Sequence, residues 1–169
     1  MKRPTTRRSS QKRTKAVIID DFITLFYAAG NRLFAMRRVI AKSLDLASPE
    51  FAALLAVARL DDGEGVRIST LADDIHVASA NMTATINALL RAGWVHKTPD
   101  PNDSRAIRVV LSDKAKANLA SLRSSISQIN ESWFAGASTE QLESSCAVLS
   151  TLIRNYEQTM AIATLQKIR

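Results

Sequence analysis

Residues 94–112 read WVHKTPDPNDSRAIRVVLS. Trp94-Val95-His96-Lys97-Thr98 and the run Ala106 to Leu111 are β-prone. Pro99-Asp100-Pro101-Asn102-Asp103-Ser104 between them carries turn chemistry, so the spacing predicts a β-hairpin with a polar tip over 99–104. Gly93, just before it, is placed to stop a helix, because glycine reaches the left-handed backbone that ends one at no steric cost. Ser112, just after it, is placed to open another.

Working toward the N-terminus, a helix is expected from about Ser79 to Ala92, with Met82, Ile86 and Leu89 facing inward. His76-Val77-Ala78 is a tight break. Before it lies a brief helix through Leu71, Ala72 and Ile75, with Ser69 as its expected N-cap, preceded by a short extended piece over Val66–Ile68. Asp61-Asp62-Gly63-Glu64-Gly65 has too few and too badly spaced acids for a calcium loop and reads as a turn. Ser48-Pro49-Glu50 signals the start of a helix ending near Leu60: a capping hydroxyl, a proline in the first turn and an early carboxylate. Two short helices joined by a tight turn and followed by a hairpin make a winged helix-turn-helix.

Long helices bracket this middle. Ile19, Phe22, Phe26, Ala29, Leu33, Met36 and Ile40 recur at three- and four-residue steps from Lys15 to about Leu44. Ala115, Leu119, Leu122, Ile126, Ile129 and Trp133 do the same after Ser112. A single last helix is expected from Thr139, through Leu142, Cys146, Leu149, Ile153, Tyr156, Met160 and Ala163. Three such seams present more apolar face than one small middle can cover, which predicts a homodimer built from both chain ends. Cys146, on the last stripe, is expected to be a buried thiol acting as a small hydrophobe rather than a redox switch. The expected fold is mainly α: a winged helix-turn-helix with a small hairpin wing, flanked by long dimerisation helices. The expected division is a flexible basic arm over 1–15, helical dimerisation regions over 16–47 and 112–169, and a DNA-binding region over 48–111.

With 46% hydrophobic and 23% charged residues, the chain of 169 can bury a core and is not a disordered polymer. One cysteine excludes an internal disulfide framework and any CxxC knuckle. No apolar run approaches a membrane span, and Asp20 and Asp21 interrupt the stretch after the basic start, which argues against a signal peptide. A soluble cytoplasmic protein without a membrane partner is expected. There is no P-loop, GxGxxG or HExxH, and the two histidines form no zinc arrangement, so no enzyme, cofactor or metal is expected.

The net charge of +7 resides in residues 1–15, where Lys2, Arg3, Arg7, Arg8, Lys12, Arg13 and Lys15 stand without an acid; the remainder is neutral. Such an arm either seeks phosphate or is a solvated tail. Residues 48–111 carry six basic and eight acidic side chains, so the winged helix must bind DNA through local placement of charge or with help from the arm.

The helix from Ser79 has the dimensions to enter a major groove. Its expected outward residues are Ser79, Ala80, Asn81, Thr83, Ala84 and Asn87, with Arg91 toward the phosphates; on the wing the candidates are Lys97, Asp103, Arg105 and Arg108. Asparagine can pair bidentately with adenine, and no arginine lies on the entering turn to read guanine. A sequence-specific regulator and a sequence-indifferent architectural protein both fit this pattern; selection of a site from random duplexes separates them.

Leu71-Ala72, Leu90-Arg91-Ala92-Gly93-Trp94-Val95, Asp100-Pro101-Asn102-Asp103-Ser104-Arg105 and Val109-Val110-Leu111-Ser112 together resemble the MarR (multiple antibiotic resistance regulator) family from about Leu33 to Leu122. The resemblance implies a dimeric transcription regulator, usually a repressor, on a pseudo-palindromic double-stranded operator. It implies that Arg105 enters the minor groove from the wing tip, where a narrow groove concentrates negative potential, and that Asp103 holds basic side chains in place. It also implies a small effector, often an aromatic or phenolic anion, between the dimerisation helices and the winged helix; Arg32, Arg37, Arg38, Phe51 and Trp94 are the candidates here. Three positions depart from the family pattern: Ser104 replaces a frequent second arginine, His76 a frequent glycine, and Ala78 a frequent capping hydroxyl, with Ser79 expected to take over that cap one residue later.

Overall fold

The computed structural model describes residues 13–166. Lys2, Arg3, Arg7, Arg8 and Lys12 of the basic arm lie outside the described residues. The order is α1 (Lys15–Ser43), α2 (Ser48–Leu60), β1 (Val66–Arg67), α3 (Ile68–Ile75), α4 (Ser79–Arg91), β2 (Val95–Asp100), β3 (Asp103–Leu111), α5 (Asp113–Trp133), α6 (Thr139–Arg154) and α7 (Tyr156–Leu165). The chain divides into two compact units, with the boundary between Ala117 and Asn118 inside α5. No helix among the described residues is long and apolar enough to cross a membrane.

The core lies in the first unit and centres on α2. Phe51, Leu54 and Val57 of α2 are fully buried with Leu71 of α3, Ile86 and Leu89 of α4, and Val95 and Val109 of the sheet. Ile86 and Leu89 are inward residues expected from helical periodicity. The sheet is antiparallel in the order β1-β3-β2. Val66 pairs with Val109 and Arg67 with Arg108, while Val95 pairs with Leu111 at the base of the hairpin.

Local details differ from the sequence expectations. Ser48, Ser69 and Ser79 do not cap; each sits inside its helix, and the capping positions are Ala47, Arg67 and Ala78. At α2 the cap comes from Glu50, whose Oε2 accepts from the Ala47 amide at 2.8 Å. α3 starts where β1 ends, leaving no residue between them for a hydroxyl cap. Ser112 does cap: its Oγ accepts from the Ala115 amide at 3.2 Å and donates to the Gly93 carbonyl at 2.8 Å.

The hairpin strands reach further than expected. Pro99 and Asp100 belong to β2 and Asp103–Arg105 to β3, leaving Pro101 and Asn102 as the tip. Proline tolerates this place because β2 is an edge strand, where a missing N–H breaks no ladder. The extended piece at Val66 is not an isolated segment but the third strand.

The expected last helix is two, interrupted at Asn155. Cys146 is exposed in the single chain, not buried. The same holds across its unit: no described residue from Asn118 onward is buried.

Candidate nucleic-acid interface

Two left-handed turns set the helix pair. α3 ends on His76 at φ 55° and ψ 51°, with the Val77 amide donating back to the Ala72 carbonyl at 3.0 Å. Histidine thus occupies the glycine-like position that the sequence departure raised. α4 ends on Gly93 at φ +72°, where the Trp94 and Gly93 amides donate to the Leu89 and Leu90 carbonyls at 2.9 and 3.1 Å. This pair of hydrogen bonds is the Schellman stop, and the residues at its usual apolar positions, Leu89 and Trp94, are both buried.

α4 buries Met82, Ile86 and Leu89 and turns the other side outward. Ser79, Ala80, Asn81, Thr83, Ala84 and Arg91 are exposed, and Asn87 is half-buried. The Thr83 hydroxyl donates to the Ser79 carbonyl at 2.9 Å, so its oxygen remains as an acceptor. Lys97 of β2 reaches across to α4, its Nζ donating to Asn87 Oδ1 at 2.7 Å. Helix and wing are therefore joined by a side-chain bridge.

The wing is organised around Asp100. Its carboxylate is fully shielded, and Oδ2 accepts from Arg67 Nε at 2.7 Å and Arg108 Nε at 2.8 Å. Oδ1 accepts from the Asn102 amide at 2.8 Å, closing the tip. The Arg67 and Arg108 guanidinia, in that order, hold the Asp100 carboxyl well below the usual carboxylate range. Arg108 also donates to the Gly65 carbonyl and pairs with Glu64, both at 3.2 Å.

This arrangement separates the wing residues. Arg108, a DNA-binding candidate on the wing, is largely shielded and committed to Asp100, Glu64 and Gly65. Asp103, expected to hold basic side chains, instead accepts from the backbone amide of Arg105 at 3.0 Å. The carboxylate that holds the basic side chains is Asp100. Arg105 itself is exposed beside the tip. Arg67 and Asp100 were missed as site-forming residues. Their only sequence signal was the β-prone run after Gly65 and the acid at the start of the tip, and nothing local links them. Of the arm, Arg13 is described, and it forms an ion pair with Asp21.

The first unit also contains a cleft of about 210 Å³ lined by Phe34, Arg37, Arg38, Ser48, Phe51 and Ala52. Three of the expected effector residues, Arg37, Arg38 and Phe51, meet there. Arg32 does not line it; its guanidinium donates to the Ala28 carbonyl at 2.9 Å. Trp94 is buried elsewhere, with Lys114 Nζ 4.4 Å from its ring centroid. Phe34, Ser48 and Ala52 were not anticipated.

The MarR family model matches residues 50–107. No curated protein matches the chain. Solved structures do: a MarR protein from Peptoclostridium difficile is 21% identical, with a TM-score of 0.67 over 93% of this chain and 97% of its own. A MarR-family transcriptional regulator from Silicibacter pomeroyi is 21% identical, with a TM-score of 0.68 over 85% and 96%. The S. aureus MepR–DNA complex matches at 13% identity and a TM-score of 0.67 over 79% and 97%. Residues 50–107 therefore match the MarR family, and the chain as a whole has the fold of solved MarR-family transcriptional regulators.

Proposed function

We propose that this chain is a homodimeric transcription regulator, acting as a repressor, that binds a pseudo-palindromic duplex through α4 and the wing. The observation that carries this reading is the pairing of an outward, polar α4 with a braced hairpin that leaves Arg105 exposed near its tip. A helix presented to the major groove and a guanidinium presented to the adjacent minor groove suit duplex DNA. The MarR-family match and the solved DNA complex of the similar MepR support it. Residues 48–111 form the DNA-binding region in this reading.

Dimerisation through 16–47 and 112–169 is supported by apolar exposure. α1 buries only Ala41 while exposing Ile19, Ile23, Phe26, Tyr27 and Phe34; the second unit exposes Val148, Leu152, Ile153, Met160 and Ile162. Surfaces of this kind mark interfaces. The cleft of Phe34, Arg37, Arg38, Ser48 and Phe51 suits a small aromatic anion, with rings for its face and guanidinia for its charge.

Selection from a random duplex pool tests the proposal. The expected product is a two-fold site with half-sites about 10 base pairs apart, centre to centre. Binding to that duplex should weaken with one member of a panel of aromatic acids, and Arg37→Ala should abolish that response. Retention of all duplexes without enrichment would instead indicate an architectural protein.

A further inference from the structure

Asn87 and Lys97 were both expected to touch DNA, but the structure ties them to each other. An ammonium has only donors, so the 2.7 Å contact from Lys97 Nζ fixes which end of the Asn87 amide faces the wing: the oxygen. The amide's NH2 then points away from Lys97, and an adenine edge, which needs a donor and an acceptor from one amide, would have to share that oxygen with an ammonium. The pair thus presents the Asn87 NH2 and the remaining Lys97 protons as donors, with the Asn87 oxygen already engaged by the ammonium.

Position along α4 points the same way. The buried set Met82, Ile86 and Leu89 defines the inner face. On the opposite side, Ala80, Ala84, Asn87 and Arg91 follow at four- and three-residue steps, so they form one outward stripe. The first two turns of that stripe carry methyl groups, flanked by Ser79, Asn81 and Thr83. The last two turns carry an amide donor, the ammonium bridged to it and a guanidinium. The N-terminal part of such a helix contacts base edges, whereas phosphates accept from several donors without base information.

Resting on the DNA-binding reading above, we infer that Asn87 is a positioning residue: it aims Lys97, with Arg91 one turn on, at a backbone phosphate, and leaves base reading to Ser79, Ala80, Asn81, Thr83 and Ala84. The division of labour lies within one helix. Asn81, exposed and in the first turn, is then the asparagine able to take an adenine edge.

The test measures binding of the full chain to the duplex it enriches from a random pool, and to every single-base-pair variant of it, across salt concentrations. Lys97→Met should lower the slope of log affinity against log salt by about 2 for a dimer, since each lost phosphate contact is worth about 0.9. Asn87→Ala should weaken binding to all variants by a common factor of about three to ten, and should have little further effect in the Lys97→Met background. Asn81→Ala should flatten preference at one base pair. Asn87→Asp is decisive, because it keeps an acceptor for Lys97 but sets a carboxylate beside the phosphate. It should bind all variants more weakly than Asn87→Ala does, with the preference profile unchanged. A profile that shifts toward cytosine in Asn87→Asp, or loses an adenine or guanine preference in Asn87→Ala, overturns the assignment and makes Asn87 a base reader. If the unmodified chain retains no duplex, the DNA-binding reading itself fails, and that control separates the two failures.

Discussion

Arg67 and Asp100 stand 33 residues apart in the chain yet share a 2.7 Å hydrogen bond, Arg67 Nε donating to a carboxylate oxygen that no solvent reaches. Arg108 meets the same oxygen from β3. One buried carboxylate therefore joins all three strands of the sheet and closes the hairpin tip through Asn102. Charge-assisted bonds of this kind are strong when every partner is present and costly when one is removed.

Asp100→Asn should lower the melting temperature at neutral pH, because Arg67 loses its counter-charge and Arg108 is left with Glu64 alone. The carboxyl is held below its ordinary value, near 3.8, so its stabilisation is complete above that value and falls away as pH drops further. The gap between wild type and variant should be constant from pH 7 to about 5 and narrow below about 4. Thermal melts at a series of pH values check this; a gap unchanged at pH 3 contradicts it.

Gly65→Ala should destabilise the fold by about 1–3 kcal/mol. Gly65 lies at φ +83°, and an added Cβ would stand 2.8 Å from Val110 Cγ1 and 3.1 Å from the Val109 carbonyl oxygen, which cannot rotate away. Gly63 provides the control: it is also left-handed, at φ +109°, but faces open space. Denaturant titration should rank Gly65→Ala well below Gly63→Ala in stability.

Arg105→Ala should weaken binding to the selected duplex by about 1–3 kcal/mol while leaving the melting temperature in place. Arg105 is exposed, and the wing is braced by Asp100 without it. A gel-shift titration showing equal affinity would remove the minor-groove role.

Ile153→Glu and Phe26→Glu should each shift the protein toward monomer in sedimentation experiments at micromolar concentration. Ile153 is 74% exposed and Phe26 52% exposed in the single chain, and the Phe26 ring stacks on Phe22 of the same helix, outside the buried core. A variant that still sediments as a dimer would exclude its face from the interface.

Deleting residues 1–12 should reduce the salt slope of DNA binding by about two to four units if each arm of a dimer makes one or two phosphate contacts. The deletion spares Arg13, paired with Asp21, and Thr14, whose hydroxyl accepts from the Val17 amide to cap α1. Preference among sequences should hold, since phosphate contacts carry no base information. Superimposable salt plots would show that the arm takes no part.

Helix content, the order of elements and the hairpin were legible because they depend on near-neighbour chemistry. Met82, Ile86 and Leu89 repeat at helical spacing, Gly93 can take a left-handed turn, and Ser112 can cap from its own position. The inward and outward sides of α4 follow from the same periodicity. Caps were less legible, because Ser48, Ser69 and Ser79 could each serve locally, and one residue of register decides between a cap and a first-turn position.

Partnership between distant side chains was decided only by the tertiary structure. Arg105 and Arg108 stand three residues apart on the same strand, yet one is left exposed and the other drawn inward to Asp100. That division arises because β1 pairs with β3 and brings Arg67 and Gly65 against Arg108, a long-range pairing with no local signature. Asn87 and Lys97, ten residues apart on a helix and a strand, are joined only once the turn at Gly93 folds β2 back beside α4. The sequence by itself determined which segments are helix, strand and turn, because backbone preference and hydrophobic period act over a few residues. Which charges are buried, which are paired and which remain for a partner depended on the packing of those segments, because electrostatic partners are chosen by distance in space rather than along the chain.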